Sequence, residues 1–334
     1  MSTKEEVLNL LNMNKGSFIS GQDIAGRLNV SRAAVWKAIK GLENDGLNIE
    51  AVTNKGYRLG GGADIINPGY IEEKLREAGL EVQVIYKDET GSTNEDAVSL
   101  LKESDRPVLV IADKQVKGRG RKGRDFFSPK GTGLYMSLAM HDALSLMKTV
   151  KVTAVAAVAV ARAIDENVYR GENKALIKWV NDIYVDDKKV CGILSEAMIS
   201  MEDGDGGTVV VGMGINVYEP RGGFPPDIKD KAGALIYRDE KKEGTGRLRS
   251  DLAAGTVKHF LQYLSEPGES LKIYREKSNL TGKYVLVNSF VPGDKRAGSR
   301  ALVTGIDDEC RLLIKYEDGR EEALSSGEVS VVLT

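Results

Sequence analysis

The N-terminal part of the chain repeats apolar side chains with the period of an α-helix. This spacing predicts three short helices, with Ser20 and Ser31 placed to cap the second and the third. The third helix would bury Val35, Ile39 and Leu42, which follow one another at i, i+4 and i+7. The next segment, IEAVTNKGYRL, alternates with period two around Asn-Lys-Gly and predicts a β-hairpin.

The remaining face of the third predicted helix is polar and basic. A short helix, a tight turn and a capped basic helix are typical of a helix-turn-helix, and the hairpin would be its wing. This arrangement predicts DNA contacts by Ser31, Arg32 and Lys37. Residues 1–60 carry eight basic and six acidic side chains, a net charge of +2, so DNA affinity would depend on dimerisation and a specific site. The alternative is a three-helix cap that binds protein or nothing.

Glycines at 60–62 interrupt both periodicities and predict a linker, which ends a first domain at residue 62. From 63 to about 275 the pattern changes repeatedly between strand and helix. Helices are predicted over 70–78, 92–101, 150–164 and 247–264, and strands over EVQVIY, VLVIAD, LYMSLAM, IKWVNDIYV, KVCGILSEAMI and TVVVGMGINV. Consecutive strands with helices between other pairs predict an α/β domain with a mixed or largely antiparallel sheet.

The last part, 276–334, contains only short β patterns. GKYVLV, RALVTGID, CRLLIKYEDG and EVSVVL are separated by Gly and Asp turns, which predicts a small β-barrel. The chain is therefore expected to be a multidomain α+β protein with domains at 1–62, 63–275 and 276–334.

Composition narrows the possible partners. The 47 Lys and Arg residues nearly balance 49 Asp and Glu residues, so any nucleic-acid affinity must come from a local patch. Two distant cysteines argue against a disulfide framework and a cysteine-rich zinc site. No signal-peptide core is present and no apolar run approaches the ~20 residues that span a bilayer, so we expect a cytoplasmic protein without a membrane partner.

The segment GRGRKGR, residues 118–124, is the strongest candidate for chemistry. Four cationic side chains alternate with glycines, whose backbone N–H groups can turn toward an anion without steric cost. The pattern G-x-G-x-x-G also fits a dinucleotide fingerprint, but turn residues and a strand follow it, whereas that fingerprint opens a helix. An arginine-rich solvated loop is the alternative.

Sequence signals of a protein nucleophile are missing: there is no G-x-S-x-G, no H-E-x-x-H and no phosphate-binding P-loop. The remaining candidate residues carry cationic and amide side chains. Such groups suit a reaction in which the protein neutralises the charge of its substrates and positions them. A single strand over IKWVNDIYV places Lys178, Val180 and Asp182 on one face, where a lysine and an aspartate can serve a phosphate and a Mg²⁺ ion. A salt bridge on the sheet surface is the alternative.

Two further segments are ambiguous by themselves. DDKK predicts a hairpin turn, and residue chemistry does not choose between Lys188 and Lys189. The glycines in GMGIN indicate either that the backbone approaches a ligand closely or that the strand has β-bulges, which need no ligand.

Six motifs in order resemble the family of bifunctional biotin–protein ligases and biotin operon repressors. They are a winged helix-turn-helix ending in GYRL, then ETGSTN, Q-x-x-GRGRKGR, KWVND, KKVCGILSE and GMGINV, before the small barrel. The resemblance implies a ligase domain like that of class II aminoacyl-tRNA synthetases and an SH3-like barrel. It also implies formation of biotinyl-5′-AMP from biotin and ATP with Mg²⁺, and transfer to a lysine of a biotin carboxyl carrier domain of acetyl-CoA carboxylase. The liganded homodimer would repress its operon at operator DNA.

The same resemblance assigns roles to individual residues. Lys189, Arg121 and Lys178 would be catalytic, and Asp182 would lie on the Mg²⁺ side. The set that binds biotin and the nucleotide would be Ser92, Thr93, Asn94, Gln115, Arg119, Gly120, Arg121, Arg124, Phe126, Lys178, Lys189, Gly192 and Asn216. Two positions depart from the family pattern: Val180 replaces a proline, and Phe126 replaces a tryptophan that stacks on adenine, which predicts a weaker contact with ATP.

Other functions share part of this pattern. A lipoate–protein ligase has the same domain type and adenylation chemistry, and GRGRKGR with KWVND and KKVCGILSE favours biotin. A ligand-sensing repressor without ligase activity would not need the cationic residues of the site. A dinucleotide oxidoreductase would need a helix after the glycines.

Overall fold

The computed structural model describes residues 3–14, 17–44, 49–59, 64–141, 149–199, 207–237, 245–288, 296–325 and 328–331. The linker predicted at 60–62 lies outside the described residues. In the part that is described, no helix is long and apolar enough to cross a membrane.

The N-terminal unit is the predicted winged helix-turn-helix. Its elements are α1 (Thr3–Met13), α2 (Gly21–Leu28), α3 (Arg32–Asn44), β1 (Ile49–Val52) and β2 (Gly56–Leu59). The hydroxyl oxygens of Ser20 and Ser31 accept from the backbone N–H groups of Asp23 at 3.0 Å and Ala34 at 3.1 Å, which confirms both predicted caps. Val35, Ile39 and Leu42 are buried in a core formed by residues of this unit, and Ile65 packs against it from the segment that follows.

A seven-stranded mixed sheet forms the centre of the molecule, with strand order β3-β4-β5-β9-β8-β7-β6. Only β3 and β4 run parallel. The strands are β3 (Gln83–Lys87), β4 (Val108–Ala112), β5 (Gly133–His141), β6 (Leu176–Lys178), β7 (Asp182–Val185), β8 (Lys188–Ile199) and β9 (Gly207–Asn216). The predicted α/β domain with a mixed sheet is therefore confirmed.

Helices cover both faces of this sheet. They are α4 (Pro68–Glu77), α5 (Thr93–Leu101), α6 (Thr149–Val168), α7 (Leu248–Ser265) and α8 (Pro267–Glu276). Strand β4 is buried on both sides because alternate residues face α5 and the larger core that contains α6 and α7. Helix α8 was not predicted from the sequence; its short pattern begins at a proline directly after α7.

The single strand predicted over IKWVNDIYV is wrong. Residues 179–181 turn the chain, so β6 and β7 form an antiparallel hairpin in which Lys178 lies opposite Asp182. Alternation misses the reversal because Trp179 and Val180 are apolar and buried, as strand residues are. Trp179 Nε1 donates to the carbonyl of Cys310 at 2.9 Å, and the hydroxyl of Tyr274 donates to the carbonyl of Val180 at 3.1 Å. The turn is thus held by α8 and by the C-terminal part of the chain.

That C-terminal part is a five-stranded antiparallel sheet, where a small barrel was predicted. Its order is β13-β12-β11-β10-β14, with β10 (Tyr284–Asn288), β11 (Arg300–Ile306), β12 (Leu312–Tyr316), β13 (Glu321–Leu324) and β14 (Glu328–Val331). Its inward residues share one continuous hydrophobic core with the central domain, unlike those of the N-terminal unit.

Candidate functional site

The cationic segment is a folded loop between β4 and β5, with no helix after its glycines. Gln115 N donates to the carbonyl of Ser128 at 3.2 Å, and Gly120 N donates to the carbonyl of Arg124 at 2.6 Å. The bond from Gly120 to Arg124 encloses a tight turn over Arg121–Gly123, in which Lys122 and Gly123 have left-handed φ angles of 61° and 71°, so the turn is not a regular helix. This geometry excludes the dinucleotide fingerprint, because that fingerprint requires a helix N-terminus at the glycines.

A buried polar cluster lies beside this loop, at the start of α5. Gln115 Oε1 accepts from the backbone N of Thr93 at 2.9 Å and from its hydroxyl at 3.0 Å. Ser137 donates to the Asn94 side-chain oxygen at 2.6 Å, while Asn94 Nδ2 donates to Glu196 at 2.7 Å. These groups hold one another in fixed orientations, as a recognition pocket for a neutral polar ligand requires.

The N-cap hydrogen bond of α5 comes from outside the helix. Ser92 occupies the N-cap position of α5, but its side chain makes no capping hydrogen bond. The first N–H of the helix, that of Thr93, instead donates to Gln115. The cap is therefore supplied by the residue that leads into the cationic loop, so the loop and the helix start are one structural unit.

The glycines of GMGIN are explained by neighbouring side chains rather than by bulges, since the β5–β9–β8 register stays regular through them. A Cβ on Gly212 would overlap the Asn94 side-chain oxygen, and a Cβ on Gly214 would overlap the Phe126 ring. Phe126 also lies against Gly192, where a Cβ would stand 3.2 Å from the ring. The glycines leave room for two of the predicted site residues.

Cationic side chains from separate segments meet at the β6–β7 turn. Lys189 Nζ pairs with Asp182 at 2.7 Å, and Arg121 donates from Nη1 to Asn181 Oδ1 at 3.0 Å. Lys178 lies across the hairpin from Asp182, with its ammonium 5.6 Å from the centroid of the Tyr184 ring. These contacts bring the three predicted catalytic residues to one place.

The structure separates the two adjacent lysines, which the sequence alone did not. Lys188 Nζ donates to the carbonyl of Asp230 at 2.8 Å, while Lys189 faces Asp182. The neighbouring Cys191 is buried, and burial raises the pKa of its thiol, so it stays protonated and unreactive. The site therefore carries cations but no activated thiol.

Other predicted residues lie around this centre without joining it. The exposed Arg119 pairs with Glu95, Arg124 is exposed, and Asn216 donates to the carbonyl of Gly233 at 3.0 Å. Sequence reasoning missed Ser137 and Glu196, which hold Asn94. A serine inside the apolar run LYMSLAM was the available signal, since that position is fully buried.

A metal ion would have few protein ligands here. Among the described residues, no group of three or more His, Cys, Asp or Glu side chains is placed to hold one. Asp182 offers a single carboxylate beside Lys189. One carboxylate fits Mg²⁺ that is held mainly by substrate phosphates and water, and it does not fit a resident metal held by protein alone.

The exposed face of α3 forms a second candidate site. Arg32, Trp36 and Lys37 lie on it, and neither of the two cations has an ion-pair partner within the described residues. Trp36 is 56% exposed, although a large aromatic side chain is normally buried. Trp36 was not predicted, since the sequence pattern indicated a face that is polar and basic.

Comparisons with known proteins find relatives that match this chain along most of its length. A model of the Biotin/lipoate A/B protein ligase family matches residues 84–216, an HTH domain model matches 3–58, and a model of the biotin protein ligase C terminal domain matches 294–332. The bifunctional ligase/repressor BirA of Bacillus subtilis is 33% identical over 97% of each chain. That of Escherichia coli is 28% identical, covering 95% of this chain and 94% of its own. The biotin protein ligase from Aquifex aeolicus, solved in complex with biotin and ATP, aligns with a TM-score of 0.59 at 26% identity over 75% of this chain and 99% of its own.

Proposed function

Because this chain belongs to the family of bifunctional biotin ligase/repressors, we propose that it first joins biotin to AMP from ATP. This step releases pyrophosphate. A lysine amine of a biotin carboxyl carrier domain of acetyl-CoA carboxylase then attacks the acyl carbon of biotinyl-5′-AMP, which forms the amide and releases AMP. The observation that carries this proposal is that Lys189, Arg121 and Lys178 meet near the buried polar cluster of Gln115 and Asn94. We propose units at 1–62, 63–275 and 276–334, which contain the three matched segments.

The first step brings a carboxylate against a polyphosphate. At ~4 Å and an effective dielectric constant of about 20, each contact between like charges costs about 4 kcal/mol. Lys189, Lys178 and Arg121 offset this repulsion, and the polar cluster around Gln115 and Asn94 orients biotin. Mg²⁺, with Asp182 on its side, would add further positive charge at the phosphates.

The second step requires that the mixed anhydride survive until the carrier arrives. We infer that the loop 115–124 is mobile without ligand and closes over the adenylate to keep water out. Its glycines and like charges favour opening, and the bond from Arg121 to Asn181 is one contact of the closed form.

Arg121→Gly is expected to release biotinyl-5′-AMP about tenfold faster or more, because a hydrogen bond from a charged donor contributes about 1.5–3 kcal/mol. Synthesis of the intermediate should fall much less than its retention. Adenylate half-life after rapid dilution measures this. Lys122→Gly removes a charge from the neighbouring, exposed position and serves as the control; equal half-lives in the two variants would contradict the assigned contact.

Incorporation into a carrier domain tests the whole reaction. Purified full-length protein with ATP and magnesium should release pyrophosphate with biotin, not with lipoate, and should label a carrier domain with biotin. Pyrophosphate release driven by lipoate would favour the lipoate ligase. Absence of transfer, with tight biotin binding, would favour a sensor without ligase activity.

The N-terminal unit is proposed to repress the biotin operon by binding operator DNA as a ligand-bound homodimer that forms through the central sheet. The carrier protein would compete for the same surface, and all of these partners would meet in the cytoplasm. Ser31, Arg32 and Lys37 would contact DNA, as would Trp36 on the same face of α3.

DNA binding should change the fluorescence of Trp36 and leave that of Trp179 unchanged. Of the two tryptophans, Trp36 is 56% exposed and Trp179 is 6% exposed. Trp36→Ala is expected to weaken binding to a duplex selected from a random pool by about tenfold, the equivalent of ~1.4 kcal/mol. Met13→Ala, which removes an exposed apolar side chain on α1, is the control. A DNA-induced emission change that persists in Trp36→Phe would exclude this contact.

A further inference from the structure

The start of α7 contacts the DNA-binding unit. Arg247, which directly precedes the helix, donates from Nη1 to the carbonyl of Asn12 in α1 at 3.3 Å. Its guanidinium carbon lies 4.9 Å from the centroid of the Tyr70 ring, and the Tyr70 hydroxyl donates to Asp251 at 2.6 Å. Arg247 before α7 and Asp251 in its first turn therefore contact α1 and α4.

The same turn also holds the two ends of the segment that contains the cationic loop. Arg249 is buried and donates from Nη1 to Asp113 at 2.5 Å and to the carbonyl of Gly133 at 3.2 Å. Asp113 follows β4 and also accepts from the backbone N of Gly131 at 3.2 Å, while Gly133 begins β5 opposite Asn216. One guanidinium thus fixes both sides of the loop and a strand pair of the nucleotide site.

Arg249 has a third partner, Asp64, which lies two positions after the predicted linker. Its backbone N donates to Asp64 Oδ2 at 3.0 Å, and its Nη2 donates to the Asp64 carbonyl. Tyr218, two residues beyond Asn216, donates its hydroxyl to the same carboxylate at 2.8 Å. The side chains of Arg249 and Asp64 are 7% and 4% exposed, so neither charge has water as a substitute partner.

We propose that residues 247–251 couple occupation of the ligand site to the position of the DNA-binding unit, with Arg249 as a positioning residue on the ligand side and Arg247 as the contact on the other. The inference rests on the proposed function. Closure of loop 115–124 would fix Asp113 and Gly133 around Arg249, and because Arg247 is the N-cap residue two positions before Arg249, its contact with Asn12 would be stabilised together with them. Such coupling is reciprocal: each binding event typically changes the equilibrium affinity at the other site by about 5–150-fold.

Amide hydrogen exchange of full-length protein, with and without biotin and ATP, tests the coupling. Biotinyl-5′-AMP is quantified in the same samples. In the wild type, ligands should slow exchange in α1 at least ~5-fold. Arg247→Ala should form adenylate at the wild-type rate but lose this slowing. Arg275→Ala is the matched control, since Arg275 Nε donates to the carbonyl of Ile306 at 2.8 Å and thus contacts the C-terminal sheet instead.

Arg249→Lys tests the contacts near the ligand site, because lysine keeps the buried charge but lacks the planar guanidinium that donates to three partners. It should release adenylate faster and also reduce the slowing in α1. If this variant does not fold, Arg247→Ala decides alone. Full ligand-dependent slowing of amide exchange in α1 of Arg247→Ala would overturn the coupling. Wild-type protein that makes adenylate without any slowing of exchange in α1 would overturn it as well. Neither result would contradict the ligase activity. Absence of adenylate in the wild type would remove the ligase proposal and the coupling with it.

Discussion

Replacing Lys189 by glutamine is expected to slow formation of biotinyl-5′-AMP by about 10²–10³-fold, the usual effect of removing one preorganised donor from a charge-developing transition state. Lys189 lies 2.7 Å from Asp182 and beside Gly192, at the centre of the cationic group. Glutamine keeps most of the length of the side chain and removes the charge. Single-turnover formation of the adenylate from biotin and ATP measures the effect.

Lys188→Gln is the matched control, because the same change is made one residue away. Lys188 donates to the carbonyl of Asp230, so its loss should change the rate less than about threefold, in keeping with a surface contact of below ~1 kcal/mol. A larger loss in Lys188→Gln than in Lys189→Gln would mean that the two lysines have been assigned the wrong way round.

Gly212→Ala is the second substitution for which we expect a large effect. The new methyl group would overlap the Asn94 side chain, which must move and give up its bonds with Ser137 and Glu196. Overpacking and the unsatisfied polar groups together should cost about 1–3 kcal/mol of folding free energy. Since Asn94 belongs to the proposed biotin pocket, the KM for biotin should rise about tenfold or more, with a smaller effect on the KM for ATP.

Gly305→Ala separates this effect from the general cost of changing a strand glycine. Gly305 lies in β11, and nothing stands within 4 Å of an added Cβ there. Its melting temperature and its KM values should stay close to those of the wild type. If Gly212→Ala bound biotin normally, the pocket would have to lie elsewhere than at Asn94.

Most of the fold could be predicted because hydrophobic period and capping residues agree along the chain. The helix-turn-helix is the clearest example, since Ser20 and Ser31 cap the helices that the apolar spacing defines. The β6–β7 hairpin was not predictable in this way. Its turn contains two buried apolar residues, Trp179 and Val180, whose burial depends on partners more than ninety positions away in sequence.

The candidate site was predicted in its residue types but not in its contacts. Motif order identified Lys189 and Arg121, while only the structure shows that Lys189 meets Asp182 and that Arg121 meets Asn181. Arg249 escaped notice because an arginine in the first turn of a helix carries no sequence sign of three buried partners. Contacts between distant segments decide such roles, and local pattern does not encode them.

The support of the β6–β7 turn by Cys310 and Tyr274 bears on how short an active protein can be made. Removing the C-terminal sheet would take away the acceptor of the Trp179 indole and would expose core residues of the central domain. The β6–β7 turn, whose Asn181 accepts a hydrogen bond from Arg121, would then lose one of the contacts that hold it. We therefore expect the smallest enzyme that retains biotinyl-5′-AMP to include residues through β14. The described residues among the first sixty form most of their own core and contribute no residue to the proposed ligand site, so adenylate should still form without them.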